Sequence, residues 1–426
     1  MESAYLNNLA ISVEKQGPHH PAKASFPLRY GKYSEIRTSE YEFLFNLNGE
    51  IKFIRGLNAS WRPHPAEQLK RTDGNDWVYY SVGDDSSDRG IISWLGEYYL
   101  PCLPYPSNSI WEINYSSNPV IMNAFAAWAQ TYGNLYGSTG DRLHTKVKEF
   151  IMRIIENHDG VLYERSQKLN EIIGGNASVL PPDTRHIDYE IIPLMISDGC
   201  LYHCNFCCVK SAQKFQTRSR NDILKQIAKL KQYYSRNLVN YNGLFLGNHD
   251  ALQAGENLIS FSASEAYSAF GFGKSERTTP LLFMFGSVNS LLKSDIKLFE
   301  RLNQLPYETY INIGLESIDS KTLAHLGKPL HQTNVEAAFK RMLDINSTYK
   351  NLEITANFVI GNGLPAAHYE SLLELLQSAA ISSRDKGVIY LSPLKDSPKK
   401  RELLPLIRGM QGQSRLPVYV YLIQRL

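Results

Sequence analysis

Apolar runs alternate regularly with amphipathic segments in the second half of the chain. Six of these runs have the length of strands: residues 190–197, 243–247, 281–287, 310–316, 352–361 and 387–393. Between them lie five segments with the apolar spacing of helices: residues 221–234, 256–270, 294–305, 334–345 and 368–380. Strands that alternate with helices of this length predict βαβ units and a parallel sheet.

Six such units that close around an apolar interior predict an α/β fold, a partial (β/α)6 barrel of the TIM type. A flat, doubly wound sheet is left open by the same pattern. In barrels of this class, the chemistry collects on the loops that follow the strands. These loops are therefore the place to search for a functional site.

The first part of the chain has a different pattern. Residues 43–54 read as two short strands joined at Asn48-Gly49, a strong hairpin signal, and residues 76–83 read as another strand. Apolar positions recur at helical spacing over residues 142–157. These signals predict an α+β accessory domain. Its tryptophans suit either core packing or a substrate platform, and packing is favoured because such rings bury much area.

Residues 174–186 separate the two patterns, because glycine, proline and small polar residues are concentrated there. We therefore predict an accessory domain over residues 1–183 and a core domain over residues 184–426. The barrel itself is expected at about residues 187–395, followed by a short C-terminal extension. Two domains are also the usual expectation for a chain of 426 residues.

Composition excludes several classes of protein. Apolar residues make up 43% and charged residues 20%, which is ordinary for a globular protein, and the formal charge of +3 gives no indication of an extended nucleic-acid surface. No stretch approaches the roughly 20 apolar residues that a membrane span needs. The first residues lack the features of a signal peptide, so a cytoplasmic location is expected.

Cysteine spacing gives the strongest chemical signal. Cys200, Cys204 and Cys207 follow the first predicted barrel strand with the spacing C-x3-C-x2-C. Thiolates are the usual ligands of iron–sulfur clusters, and three of them leave one iron of a [4Fe–4S] cubane open for another ligand. A structural zinc site completed by His203 or Cys208 is the alternative, although such close spacing strains a tetrahedral site. Both Cys208 and the remote Cys102 are expected to be packed thiols.

The cysteine motif, with Phe206 just before its last cysteine, is similar to the signature of the radical S-adenosylmethionine (SAM) superfamily. The resemblance implies that Cys200, Cys204 and Cys207 hold a [4Fe–4S] cluster whose open iron is chelated by SAM. It further implies reductive cleavage of SAM to a 5′-deoxyadenosyl radical, which abstracts hydrogen from a substrate. An electron donor such as flavodoxin or ferredoxin is the expected partner.

The later strand ends resemble further segments of the same family. The turn after the second strand has the place of the family's Gly-Gly-Glu segment, which binds the SAM amino group, but it lacks the second glycine and the glutamate. Residues 314–317 look like the Gly-x-Glu-Ser segment that reaches SAM, and residues 357–361 look like the segment that meets adenine. The resemblance therefore implies cofactor contacts at Phe206, Gly247, Asn248, Glu316, Ser317, Asn357, Ile360 and Gly361.

Other polar residues near these strand ends have less specific signals. His249 is the candidate catalytic residue, because it would face the barrel mouth, and Asp250, His325 and Lys328 are further candidates for acid–base or substrate contact. Arg218 reads as a surface or cap-region charge.

The sequence therefore predicts a radical SAM enzyme that modifies a small-molecule or biosynthetic substrate. A tRNA- or peptide-modifying enzyme of the same family is one alternative. A non-catalytic iron–sulfur or zinc protein is the alternative from another class.

Overall fold

A computed structural model describes most of the chain: residues 2–19, 31–58, 68–71, 77–80, 95–97, 100–101, 119–137, 143–175, 191–207, 213–247, 249–277, 279–379, 386–394 and 400–421. Within these ranges the chain forms two large β-sheets and the helices that cover them. None of the helices there is both long enough and apolar enough to cross a membrane.

The strands of the first sheet are, in sheet order, β1 (Glu2–Leu6), β2 (Leu9–Gln16), β3 (Lys32–Arg37), β4 (Tyr41–Phe45), β5 (Ile51–Gly56), β6 (Gln68–Arg71), β7 (Trp77–Tyr80) and β9 (Leu100–Pro101). Those of the second sheet are β10 (Ile191–Leu194), β13 (Gly243–Leu246), β14 (Leu281–Ser287), β15 (Glu308–Glu316), β16 (Leu352–Ile360), β17 (Ile389–Pro393), β18 (Val418–Tyr421) and β8 (Leu95–Glu97). A separate small ribbon pairs β11 (Ser197–Asp198) with β12 (Gln216–Thr217).

The α-helices are α1 (Pro119–Tyr136), α2 (Thr145–Glu156), α3 (Asp159–Ile173), α4 (Arg220–Tyr234), α5 (Glu256–Phe270), α6 (Val288–Lys293), α7 (Ile296–Gln304), α8 (Ser320–His325), α9 (Gln332–Thr348), α10 (Ala366–Ser378) and α11 (Lys400–Gln413). Short 3₁₀ helices span Ser235–Asn240, Ala251–Ala254 and Phe272–Lys274. All five helices predicted between the barrel strands are present.

The first sheet is antiparallel, and the predicted hairpin at Asn48-Gly49 is confirmed as the β4–β5 connection. Its core forms against α1 and α2, where the ring of Phe150 meets that of Phe45 edge to face at 5.4 Å. Trp128 lies 5.3 Å from Phe43 and 5.5 Å from Phe45, centroid to centroid, so its ring packs in this core. The side chains of the other four tryptophans lie outside the described portion: Trp61, Trp77, Trp94 and Trp111.

The second sheet is parallel throughout and follows the order of the chain from β10 to β18. A doubly wound sheet needs a reversal of strand order, and no reversal occurs among these strands. Because parallel crossovers are right-handed, this order places the helices on one face. Within the described ranges β10 and β8 are the two sheet edges and do not pair with each other. The predicted βα barrel is therefore present in an open form.

The structure differs from the prediction at the end of the barrel. The predicted short extension supplies α11 and a further strand, β18, which pairs in parallel with β17. Pro405 lies inside α11 and weakens its helical signature in the sequence. The three-residue strand β8, from the first part of the chain, then pairs with β18. The two parts therefore share a sheet, while their division at residue 183 stays a prediction.

Strand alternation sorts the barrel side chains into two layers. On β15, Ile311, Ile313 and Leu315 belong to the large core beneath the helices. The alternate positions face the barrel interior, where Tyr310 packs with an aromatic and aliphatic cluster at the amino ends of the strands. Asn312 continues this interior face toward the carboxyl ends. The barrel is thus apolar at its base and polar toward its mouth.

Candidate active site

The cysteine loop is closed at its base by a small ribbon and an ion pair. β11 follows β10 directly and pairs with β12, so the described residues 199–207 and 213–215 continue from the carboxyl end of the first barrel strand and return to this ribbon; we call them the cysteine loop. Arg218 donates from Nε to Asp198 Oδ2 at 2.8 Å and from Nη2 to Oδ1 at 2.5 Å, and its Nη1 donates to the Ile173 carbonyl at 2.6 Å. Arg218 precedes the N-cap Ser219 of α4, as a cap-region charge would, and its side chain also joins the ribbon to α3.

Replacing Arg218 by leucine is expected to lower the free energy of unfolding by about 2 kcal/mol, because Asp198 is left half-buried without its cation. Equilibrium urea denaturation measures this change. Arg220→Leu is the matched control, since the exposed Arg220 guanidinium only covers the Phe261 ring, at 4.7 Å. Equal losses in the two variants would contradict a specific role for the Arg218 contacts.

The three cysteines of the motif all lie on this loop. Cys204 is buried, whereas Cys200 and Cys207 are half-buried. The Tyr202 amide donates to Cys200 Sγ at 3.4 Å, and the Cys207 amide donates to the Cys204 carbonyl at 3.3 Å, so short-range bonds shape the turn. Phe206 is half-buried within that turn.

Burial and nearby charges act on these thiols in opposite directions. Burial raises the pKa of both Cys200 and Cys204, whereas the Lys328 ammonium lowers the pKa of each. Cys204 is also subject to the charge of Cys200, which shows that the two sulfur atoms lie within electrostatic reach of each other. A metal that takes these groups as ligands must bind them as thiolates.

The donor set of the motif is three thiols, and thiolates are the usual ligands of iron–sulfur clusters. No three His, Cys, Asp or Glu side chains in the described ranges are placed to share one metal ion. Cys102 and Cys208 lie outside the described residues, so their predicted packing is not tested.

The turn after β13 lies beside the cysteine loop. Gly247 has φ +74, and a Cβ there would lie 3.0 Å from that of Ala251, so the turn favours glycine. Asn248 lies outside the described residues. His249 is half-buried, and burial lowers its pKa while the charge of Asp198 raises it, so this imidazole lies near the base of the loop. Its catalytic role stays a prediction.

Asp250 is a buried carboxylate next to the same loop, 3% exposed. Its Oδ1 accepts hydrogen bonds from the Ser287 amide at 3.1 Å and the Ser290 hydroxyl at 2.7 Å. Oδ2 is buried and accepts no hydrogen bond from the described residues. Burial raises the Asp250 pKa, and the two serines oppose that shift. A buried carboxylate oxygen is costly unless a donor reaches it.

Glu316 ends β15 in a strained conformation. Its φ is +66, and the register of β15 against β16 shifts between Gly314 and Glu316. Glu316 Oε1 accepts from Lys328 Nζ at 2.9 Å, with only 11% and 4% of the two side chains exposed. The buried glutamate therefore has its partner within the protein, a pairing that the sequence did not indicate. His325 ends α8 and is exposed.

Ser317 is fully buried and its hydroxyl is used by the protein. His368 Nε2 lies 2.9 Å from the Val359 carbonyl, which can only accept, so Nδ1 accepts from the Ser317 hydroxyl at 2.7 Å. The same hydroxyl accepts from the Asp319 amide at 3.0 Å. Ser317 therefore fixes the turn after β15 to α10, and its predicted contact with SAM has no support from this geometry.

The carboxyl end of β16 presents a polar group to the barrel interior. Asn312 Nδ2 donates to Thr355 Oγ1 at 2.8 Å and to Asn357 Oδ1 at 3.4 Å. Asn312 Oδ1 is buried without a hydrogen-bond partner. The sequence indicated Asn357 but missed Asn312, whose place on the inner face follows only from the register of β15 with β16.

The other two predicted adenine contacts lie at the end of the same strand. The side chain of Ile360 belongs to the core beneath the helices, because alternation along β16 turns it away from the interior. At Gly361 the amide donates to the Tyr369 hydroxyl at 3.2 Å, and the carbonyl accepts from that hydroxyl at 2.9 Å. Asn357 is the member of this segment whose side chain faces the barrel interior, and contacts of Ile360 and Gly361 with adenine stay predictions.

Comparisons with known proteins agree with this arrangement. Residues 194–376 match the model of the Radical SAM superfamily. The chain is 21% identical over 254 residues to the ribosomal protein uS12 methylthiotransferase RimO of Hydrogenovibrio crunogenus, an alignment that covers 56% of this chain and 50% of that protein. The chain thus spans about half the length of this curated relative.

Two solved structures show more distant similarity. A radical SAM methyltransferase from Sphaerobacter thermophilus has 13% identity and a TM-score of 0.39, over 54% of this chain and 65% of that one. SuiB of Streptococcus suis has 11% identity and a TM-score of 0.37, over 73% of this chain and 63% of that one.

An open parallel βα barrel carries the three cysteines of the motif on the loop after its first strand. The part of the chain from residue 194 to residue 376 is similar to the radical SAM superfamily. The cofactors of that family are a [4Fe–4S] cluster and SAM, and the cysteine motif is the family's own. The subfamily is not identified by these matches.

Proposed function

We propose that this protein cleaves SAM reductively and uses the resulting radical to modify a small-molecule or biosynthetic substrate. The observation that carries the proposal is the loop of three cysteines that follows the carboxyl end of the first barrel strand. When bound, the cluster supplies the electron that splits SAM into methionine and the 5′-deoxyadenosyl radical. The protein supplies ligands, orientation and exclusion of water.

The residues around the loop have different roles in binding the cluster and SAM. Cys200, Cys204 and Cys207 bind three irons as thiolates, and the ribbon of β11 and β12 holds their loop in place. Asp250 Oδ2, buried and without a partner, accepts a hydrogen bond from a cationic group of the bound ligand. Such a contact compensates the cost of burying the carboxylate.

The interior face of the barrel provides the remaining contacts. Asn312 Oδ1 is buried and unpartnered, so it accepts a hydrogen bond from a donor on SAM or substrate. Asn357 lies beside it and is half-buried. His249 is the candidate for proton transfer near the loop base. Gly247, Asn248, Phe206 and Glu316 remain predicted cofactor contacts.

A peptide or protein substrate is the second candidate. It is favoured by the similarity to an enzyme whose name describes modification of a ribosomal protein. The small-molecule or biosynthetic substrate is kept as the first candidate, because the similarity to that enzyme is low, at 21% identity. An electron donor such as flavodoxin or ferredoxin and a cytoplasmic, reducing location are parts of the same proposal.

Anaerobic reconstitution tests the proposed activity. The protein is incubated with iron and sulfide, reduced with dithionite and supplied with SAM, and 5′-deoxyadenosine is measured by chromatography. We expect a brown protein with about four irons per chain that forms 5′-deoxyadenosine. Tight, colourless zinc binding without turnover of SAM would decide for the non-catalytic alternative.

A further inference from the structure

Lys328 occupies an unusual place for a lysine, because its ammonium is buried between the end of β15 and the cysteine loop. Its side chain is 4% exposed, and Nζ donates to Glu316 Oε1 at 2.9 Å and to the Gly314 carbonyl at 2.5 Å. The same nitrogen lies 5.7 Å from the centroid of the Tyr202 ring, between the first two motif cysteines. Lysine is seldom buried to this extent unless it is paired.

The fold makes specific room for this ion pair. A Cβ at Gly314 would lie 2.4 Å from Glu316 Oε1 and 3.1 Å from Lys328 Nζ, so a larger residue there would displace the ion pair from its present position. The backbone around Lys328 is also fixed, because its amide donates to the Leu323 carbonyl at 2.9 Å. Nearby, the Asn205 amide of the cysteine loop donates to the Leu326 carbonyl at 2.9 Å. The segment that carries Lys328 is therefore tied directly to the cysteine loop.

Among the described residues, Lys328 places a cation against the cysteine loop. Its Nζ lies 5.7 Å from the centroid of the ring of Tyr202, which stands between Cys200 and Cys204 in the chain. The Glu316 carboxylate lies 2.9 Å from the same nitrogen. Once three thiolates and a cubane occupy this loop, negative charge accumulates in a region of low dielectric constant. A buried cation there has a larger effect than one in water.

We propose that Lys328 is a positioning residue that sets the reduction potential of the cluster through its charge, with Glu316 holding the ammonium in place. This inference rests on the proposed function, since it requires the cluster. Reduction adds one electron to the cluster, and a nearby cation stabilises that added charge. Loss of the cation therefore lowers the potential and makes the cluster harder to reduce. Loss of the Glu316 charge has the opposite effect.

Potentiometric titration of the reconstituted protein, followed by electron paramagnetic resonance of the reduced cluster, tests the proposal. For Lys328→Met we expect the ratio of reduced to oxidised cluster at a fixed potential to fall on the order of tenfold, which is about 59 mV for a one-electron couple. Lys328→Arg keeps the charge and should stay within about threefold of the original protein. Glu316→Gln should shift the ratio upward.

The double variant Lys328→Met, Glu316→Gln distinguishes an effect of charge on the reduction potential from an effect of a distorted loop. It removes one charge of each sign, so its potential should return toward that of the original protein. Lys386→Met is the matched control, because Lys386 is also bound to backbone carbonyls but lies before β17, at the opposite end of the barrel. Its variant should leave the potential unchanged.

The outcomes distinguish this inference from the proposed function. If the original protein binds no cluster, the proposed function fails. If Lys328→Met binds a full cluster at an unchanged potential, only the role of Lys328 is overturned. If all the Lys328 and Glu316 variants shift the potential in the same direction, the cause is distortion of the loop, and the proposal is likewise rejected. If Lys328→Met does not fold, Glu316→Gln still tests the proposal, because its ratio of reduced to oxidised cluster at a fixed potential is expected to rise.

Discussion

Replacing Cys204 by alanine is expected to lower the rate of 5′-deoxyadenosine formation at least about a thousandfold, a rise of about 4 kcal/mol in the barrier. Cys204 is the most buried of the three motif cysteines, 7% exposed, and its carbonyl accepts the turn bond from Cys207. The variant keeps that backbone bond but removes one of three cluster ligands. Iron content and product formation after anaerobic reconstitution measure the effect.

Cys208→Ala is the matched control for this prediction. It removes a neighbouring thiol of the same chemistry that the sequence pattern does not assign to the cluster. Iron content and product formation should stay within about twofold of the original protein. An equal loss in Cys208→Ala and Cys204→Ala would show that the ligand set is assigned wrongly. An intact cluster in Cys204→Ala would likewise show that Cys204 is not one of the ligands.

Gly199→Ala is expected to prevent the cysteine loop from closing, although it changes neither a ligand nor a charge. Gly199 has φ +76, which costs an L-residue about 1–2 kcal/mol. A Cβ at this position would also lie 2.3 Å from the Lys214 carbonyl oxygen and 2.6 Å from that of Gln213. Both contacts are with backbone, so relief requires the two sides of the loop to separate.

We therefore expect Gly199→Ala to lose most of its iron after reconstitution, at least about tenfold relative to the original protein, while the barrel remains folded. Far-ultraviolet circular dichroism and iron analysis together measure this outcome. Gly133→Ala is the matched control, because a Cβ in that helical position meets no atom within 4 Å and should be neutral or slightly stabilising. A full cluster in Gly199→Ala would contradict the importance of this tight closure.

The barrel was predictable because its signals are local and repeated. Each predicted strand from residue 190 to residue 393 is present, since buried parallel strands are continuous apolar runs that end at small or polar residues. The helices between them carry regular apolar spacing. β8 could not be found in this way, because a strand of three residues has too few positions to show a pattern.

The candidate site was predictable only in part. The cysteine spacing is a local feature, so it identified the loop directly. The pairing of Glu316 with Lys328 depends on how the turn after β15 folds back, and nothing in the intervening residues specifies that path. Likewise, Arg218 appeared to be a surface or cap-region charge because Asp198 and the Ile173 carbonyl approach it only in the folded chain.

Motif likeness does not give side-chain directions. Ser317 has the place of a SAM-contacting residue in the resembling segment, and the structure adds that its hydroxyl is buried and bonded to His368. The alternation of side chains along β16 directs Ile360 away from the barrel interior and Asn357 toward it. The contacts of these residues with SAM stay predictions.

The most direct test of the account is the electron paramagnetic resonance spectrum of the reduced, reconstituted protein with and without SAM. Three thiolates should bind three irons of the cluster and leave the fourth iron open for the amino acid part of SAM to chelate. We therefore expect a reduced [4Fe–4S] signal whose g-values change when SAM is added. A spectrum that is identical with and without saturating SAM, or a protein that takes up zinc and no iron–sulfur cluster, would contradict it.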